Sequence, residues 1–223
     1  MAMPILGMPA SDKIIHLRQL LAERFPQICA PADERLPTGV PAMDDAIGGG
    51  LPKSAITELT SPNLSAGSAL FVHALLQTAQ RRGFFLALVD GRDSFDPQTA
   101  GPIALRNLLW LRCTNAADAV KAADFLLRDG NFPLVVLDLV LNPAEELRKI
   151  PQNNWYRLQR LVEGAPTAFL VLTRQSIISS AQLKLSLTNA WHLPDLDEIG
   201  LTSRLKIQIN RVHGGRELSA RAG

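Results

Sequence analysis

Ser61-Pro62-Asn63-Leu64-Ser65-Ala66-Gly67-Ser68 decides how this chain is read. It follows a strand-like run, Ala55-Ile56-Thr57-Glu58-Leu59, and opens a helix-like run from Ala69 to Gln80. Strand, loop and helix in that order is the setting of a phosphate-binding loop, whose working pattern is G-x-x-x-x-G-K-[ST]. Laid on that pattern, Ser61 stands at the first glycine, Ala66 at the second and Gly67 at the lysine; only the hydroxyl, Ser68, is kept. The glycines let backbone N–H groups wrap a phosphate, and the lysine neutralises the charge of the β- and γ-phosphates. Losing all three argues against efficient ATP hydrolysis. A helix N-terminus still attracts anions, so a weak phosphate or sulfate site stays open.

From Leu36 onward the chain alternates short apolar runs with helical patterns. The strands expected are Ala55–Leu59, Phe84–Val89, Leu108–Leu111, Leu134–Leu139, Ala168–Thr173, Ala190–Leu193 and Arg204–Asn210. The helices expected are Ala69–Gln80, Ala116–Arg128, Ala144–Lys149 and Asn154–Glu163, with Asn115 as the cap of the second. Such alternation predicts an α/β fold, a mostly parallel sheet flanked by helices, with an antiparallel C-terminal edge. Ahead of it, Ser11 can cap a helix running to Phe25, with Ile14, Leu17, Leu21 and Phe25 on one face, and Pro26 ends it. That helix reads either as a strut on the core or as a docking element. The domain organisation expected is an N-terminal helix and linker over 1–35, a core over 36–210 and a flexible basic tail over 211–223.

The chain has 223 residues, 47% of them hydrophobic and 20% charged, enough for one domain with a substantial core. A net charge of +2 neither requires nor excludes nucleic acid. Cys29 and Cys113 make no metal or redox spacing, which suggests a reducing compartment. Apolar runs such as Phe84–Val89 are too short to span a bilayer, and the start shows no signal-peptide pattern. A cytoplasmic protein without membrane contact is expected. His16, His73, His192 and His213 have no ligand spacing, so no metal is assigned.

The run Leu36-Pro37-Thr38-Gly39-Val40-Pro41-Ala42-Met43-Asp44-Asp45-Ala46-Ile47-Gly48-Gly49-Gly50-Leu51-Pro52 resembles the segment that precedes the phosphate loop in RecA-like recombinases. Ala87-Leu88-Val89-Asp90-Gly91-Arg92-Asp93-Ser94-Phe95-Asp96-Pro97 is similar to their strand and loop carrying the catalytic glutamate, and Leu134-Val135-Val136-Leu137-Asp138 to their Walker B strand. Three segments in order, spread over 36 to about 175, identify a RecA-like core. Within that superfamily the chain looks most like the ImuA (SulA-like) group. The shared features are a leading helix rich in Leu and Arg, the L-P-T-G entry, a decayed loop and the ending Arg211-Val212-His213-Gly214-Gly215-Arg216. This resemblance implies an accessory role in SOS-induced translesion synthesis. Its implied partners are an ImuB-like polymerase relative, an error-prone polymerase and RecA, with nucleoid association when the protein acts.

Arg92 stands where the resemblance implies the catalytic glutamate, and a guanidinium only donates hydrogen bonds. Asp138 keeps the Walker B carboxylate, which could hold Mg²⁺. The reading adopted instead is a strand-end carboxylate bonding the loop after Ala55–Leu59. Ser61, Ser65, Ala66, Gly67, Ser68 and Asp138 thus form a vestigial nucleotide site without catalytic residues; no cofactor is expected, with weak ATP and Mg²⁺ binding as the alternative. The resemblance implies a sensor role at Arg174 or Gln175, which are read as ordinary loop polarity. The segment from Gln175 to Leu187 matches a DNA-contacting loop, yet only Lys184 in it is basic. Trp110 and Trp191 read as core and Trp155-Tyr156 as an exposed helix start. Arg204, Lys206, Arg211, Arg216 and Arg221 face only Glu217 toward the C-terminus, a candidate surface for single-stranded DNA or an acidic partner. The leading function is therefore a non-catalytic accessory protein of DNA repair. The alternatives are a DNA-dependent recombinase ATPase and a cell-division inhibitor.

Overall fold

The computed structural model describes residues 15, 16, 19, 20, 23, 34–192, 195 and 200–212. The expected N-terminal helix falls largely outside these residues; the five described positions between 15 and 23 are helical. Nine strands are described: β1 (Arg35–Leu36), β2 (Leu51–Pro52), β3 (Ala55–Thr60), β4 (Leu86–Asp90), β5 (Leu108–Arg112), β6 (Leu134–Asp138), β7 (Ala168–Thr173), β8 (Leu183–Leu187) and β9 (Ile207–Val212). Six helices lie among them: α1 (Pro41–Ala46), α2 (Ser68–Arg82), α3 (Pro97–Ala104), α4 (Ala116–Asp129), α5 (Ala144–Arg148) and α6 (Gln152–Glu163).

β1 and β2 pair as a small antiparallel ribbon, and the other seven strands form one sheet in the order β5-β4-β6-β7-β3-β8-β9. All its pairings are parallel except the last, β8 with β9, so the α/β expectation and its antiparallel edge both hold. Parallel strands need crossovers, and α2, α4 and α6 supply the long ones. Strand side chains alternate between two packed layers. Leu134 and Val136 face the layer built with Phe71, Leu75 and Leu76 of α2. Val135 and Leu137 face the layer built with Val120, Leu126, Trp155 and Leu158 of α4 and α6. Burial on both faces is why β3, β4, β6 and β7 read as continuous apolar runs.

Several expectations need correction. Ala190, Trp191 and His192 are not strand, and Leu193 lies outside the described residues. The strand in that region is β8, read from sequence as loop, whose burial alternates along Leu183-Lys184-Leu185-Ser186-Leu187. β9 begins at Ile207 and ends at Val212, so Arg211 belongs to the sheet edge. Trp155, expected at the surface, is 1% exposed, because its position in the first turn of α6 points at the sheet; Tyr156 beside it stays exposed.

One buried charge organises the centre. Glu58 of β3 is fully buried. Its carboxylate accepts the N–H groups of Ile177 (2.6 Å) and Ile178 (3.0 Å) and the Ser176 hydroxyl (2.7 Å), and pairs with Lys184 of β8 at 3.1 Å. The chain from β7 to β8 is thereby held on a single side chain, and Lys184, the one basic residue of that segment, is used inside the protein. Glu58→Ala should lower stability by about 3–5 kcal/mol, because it strands Lys184 and two N–H groups. Adding Lys184→Leu should recover part of the loss. Urea unfolding of both variants checks this; equal midpoints for wild type and Glu58→Ala would contradict it.

Candidate functional site

The carboxyl ends of β3, β4, β6 and β7 meet where an open α/β sheet ordinarily binds its ligand. Asp90 and Asp138 are register partners across β4 and β6, and Ser61 N–H bonds the carbonyl of Thr173 at 2.7 Å. Ser68, at the first position of α2, and Asp138 line one cavity of about 400 Å³. The two surviving groups of the nucleotide pattern are therefore brought together. The other four are not. Ser61 is buried and donates its hydroxyl to Asn63 O, and Ala66 is fully buried with its N–H on Asn63 O. Ser65 is exposed and spends its carbonyl on Trp191 N–H at 3.0 Å.

Gly67 shows why the lysine position carries no side chain. It sits at φ +99°, a left-handed conformation that L side chains rarely adopt. A Cβ added there would lie 2.7 Å from Leu205 Cδ2 and 3.1 Å from Trp191 Nε1. A lysine would need both a strained backbone and displacement of these two residues. They come from the segment after β8, which folds back across the loop, and Arg204 lies over the Trp191 ring, 5.2 Å from its centroid. The sequence places Trp191 in an apolar run but does not connect it with the loop; its distance along the chain offers no local signal.

Arg92 does not face the cavity. Its guanidinium donates to Thr114 O at 2.7 Å and pairs with Glu146 of α5 at 3.3 Å. Glu146 also accepts Ala116 N–H at the start of α4 and the Asn142 amide, and these bonds, Asn142 first, hold its carboxyl below the usual range. Asp93 is held by Arg112 across two short bonds of 2.5 and 2.6 Å. Asp90 accepts the N–H groups of Arg92, Ser94 and Phe95, fixing the β4–α3 loop. None of Arg92, Glu146, Asp93 and Asp90 is among the residues lining the cavity beside Ser68.

The expectation that Asp138 bonds the loop after β3 needs correction: its carboxylate accepts Val140 N–H at 3.0 Å, in its own loop. Burial pushes its carboxyl up to about 6, the Val140 bond opposes this, and the Asp90 charge adds to it. Arg174 and Gln175, at the end of β7, line a separate cleft of about 320 Å³ with Pro62 and Leu141. Arg204 and Lys206 share the rim of a third, about 420 Å³, with Trp191. Arg211 is exposed on β9, and Arg216 and Arg221 lie outside the described residues. Among the described residues no cluster of His, Cys, Asp and Glu could hold a metal, and no helix is long and apolar enough to cross a membrane.

The raised Asp138 value fixes a sign. The folded state holds this proton more tightly than the unfolded chain, so Asp138 costs nothing at about pH 3.5 and below. The cost then grows as pH rises through about 6. Asp138→Asn should be as stable as wild type, or more so, at pH 7, by no more than about 3 kcal/mol, and the difference should vanish toward about pH 4. Melting temperatures of the pair at both pH values check this; a variant less stable only at pH 7 would contradict it.

Comparison with known proteins agrees with this architecture. Protein RecA of Frankia alni is 34% identical over 122 residues, covering 52% of this chain and 35% of the relative. Protein RecA of Clavibacter michiganensis is 37% identical over 126 residues, covering 52% and 34%. For protein RecA of Xylella fastidiosa strain M23 the figures are 35% over 121 residues, covering 52% and 35%. The matched part is thus about a third of each of these relatives. The RecA N-terminal domain family matches residues 29–163, which include the loop, Arg92 and Asp138. With more than half of its length inside that match, the chain belongs to the RecA N-terminal domain family.

Proposed function

We propose that this protein is a non-hydrolysing RecA-type domain that serves DNA repair through contacts with other proteins, in the manner the resemblance to the ImuA group implies for translesion synthesis. The observation that carries the reading is Gly67. Its left-handed backbone and the packing of Leu205 and Trp191 against it occupy the place of the phosphate-binding lysine. Arg92 supports the same reading, since it is bound to Thr114 O and Glu146 and supplies no base. On this reading ATP and Mg²⁺ are not working cofactors of this chain. The ImuB-like partner, the error-prone polymerase and RecA remain the expected partners. Arg204, Lys206 and Arg211 offer a basic surface to them or to single-stranded DNA, and Arg216 and Arg221 follow in the sequence.

Turnover of ATP with and without single-stranded DNA should stay at background. Affinity for ATP should be no tighter than about 1 mM, roughly −4 kcal/mol. Gly67→Lys should not restore turnover, because strain and crowding at 67 and the missing base both persist. DNA-stimulated hydrolysis that Asp138→Ala abolishes would overturn the proposal.

A second expectation concerns the basic C-terminal surface. Contacts to phosphates release counterions, so DNA bound there should weaken steeply between about 50 and 200 mM salt, by about 10-fold or more for a few contacts. A protein partner would respond more mildly through screened charges at its rim. Deleting 213–223 together with Arg211→Ala should weaken whichever interaction occurs. Unchanged DNA binding and unchanged capture of a purified polymerase partner would show this surface to be inert.

A further inference from the structure

The cavity beside Ser68 has a charge pattern opposite to that of a phosphate site. Its charged groups are Asp138 at the floor and Asp96 at the rim, and no Lys or Arg among the described residues lines it. The remaining titratable group is His73 of α2, which bonds the Thr99 hydroxyl at 2.9 Å. Burial holds His73 below its ordinary value, with Asp96 opposing, so it brings no full positive charge at neutral pH. Asp96 uses one oxygen on Gln98 N–H as the cap of α3. Among the described residues the Asp138 carboxylate has one hydrogen bond, from Val140 N–H, and no ion pair.

The walls are apolar. Val72, Phe95 and Val140 line the cavity, and Phe95 is fixed edge-on against Trp110 at 5.3 Å. At the mouth stand Leu64 and Leu141, 62% and 47% exposed, among the large apolar side chains most open to solvent. Carboxylates within apolar walls repel a nucleotide triphosphate and suit a cation on a hydrocarbon stem, whose methylenes cover apolar surface while the head reaches the acid. The two leucines add an apolar rim, which a small free cation would leave uncovered.

We infer that this cavity is a docking site for an arginine or lysine side chain presented by an apolar segment of a partner protein. The stem lies along Val72, Phe95 and Val140, the cationic head pairs with Asp138, and residues flanking the cation cover Leu64 and Leu141. Arginine suits the floor better than lysine, because its planar fork can give more than one hydrogen bond to the Asp138 carboxylate. This rests on the reading that nucleotide is absent from the site.

The test uses the full chain and the peptide acetyl-Leu-Arg-Leu-amide, with its citrulline counterpart as a neutral isostere. Binding is followed by amide NMR shifts at Val72, Phe95 and Val140. The arginine peptide should shift them saturably, and citrulline should bind about tenfold more weakly or worse. Asp138→Asn should erase the difference between the two peptides, and Leu141→Ser should weaken both. Absence of saturable shifts, equal binding of the two peptides, or an Asp138→Asn protein that still prefers arginine would overturn the inference. Spermidine binding as tightly as the peptide would also overturn it, in favour of a free polyamine. Mg-ATP that saturates these shifts well below about 1 mM would instead refute the reading that nucleotide is absent from the site, a separate and distinguishable failure.

Discussion

A carboxylate buried in an interior strand of a sheet must be fully satisfied or it unfolds its surroundings, and Glu58 sets that condition here. It satisfies the condition with the chain leaving β7 and with Lys184 of β8. The consequence is geometric. The segment between β7 and β8 is drawn onto the sheet as a short, bonded crossover, so β8 takes its place beside β3 and β9 closes the edge. Thr60 reinforces the same junction through the Ser186 hydroxyl at 2.6 Å and Leu185 O at 3.1 Å. The region that the resemblance matched to a DNA-contacting loop is therefore spent on holding the fold.

Once β8 is fixed, the chain beyond it has a determined place. Thr188 N–H bonds Lys206 O, and the Asn189 side chain both accepts Lys206 N–H and donates to Arg204 O. These bonds clamp the two ends of the excursion between β8 and β9. That clamp brings Trp191 and Leu205 onto Gly67 from opposite ends of the excursion. Both residues lie beyond 29–163, the part matched by the family. The altered loop and the segment covering it thus come from different parts of the chain and fit only together: a residue without a side chain, in a left-handed conformation, is what leaves room for an indole. Restoring one position cannot reverse an arrangement held by contacts so distant in sequence.

The legibility of the fold in the sequence has the same physical origin. β3, β4, β6 and β7 are buried on both faces, so their runs of Leu, Val, Ile and Ala announce them. β8 carries Lys184 and Ser186 on one face, and these are tolerated only because Glu58 and Thr60 stand across from them on β3. That partnership is invisible until the strands are adjacent. The opposite error arises at Ala190–Leu193, where an apolar run contains a loop tryptophan packed against another loop. α1 and α3 give weak signals because each begins at a proline, one is six residues long, and the other contains Gly101 and Pro102. At the site, Gly67 and Arg92 are legible because a pattern assigns those positions a chemistry. The residues that fill or bind them, Trp191, Leu205 and Glu146, are not, since no pattern specifies the groups that take over when a motif is lost.

The electrostatics of the cavity depend on where the cations went. A working phosphate loop balances its acidic strand ends with a lysine and a metal. Here the lysine position holds a glycine, and the arginine at the glutamate position turns outward to Thr114 and Glu146, so its charge is spent at the start of α4. Asp90 is satisfied by three backbone N–H groups and has no need of a cation. Asp138 has one such bond, faces the cavity and carries a raised proton affinity because burial disfavours its charge. A carboxylate in that condition is stabilised by any cation that can reach it without losing much hydration. Apolar walls select against small hydrated ions and for a charge carried on hydrocarbon. On the reading proposed above, the complement of this cavity is a basic side chain, because its lining pairs carboxylates with apolar walls.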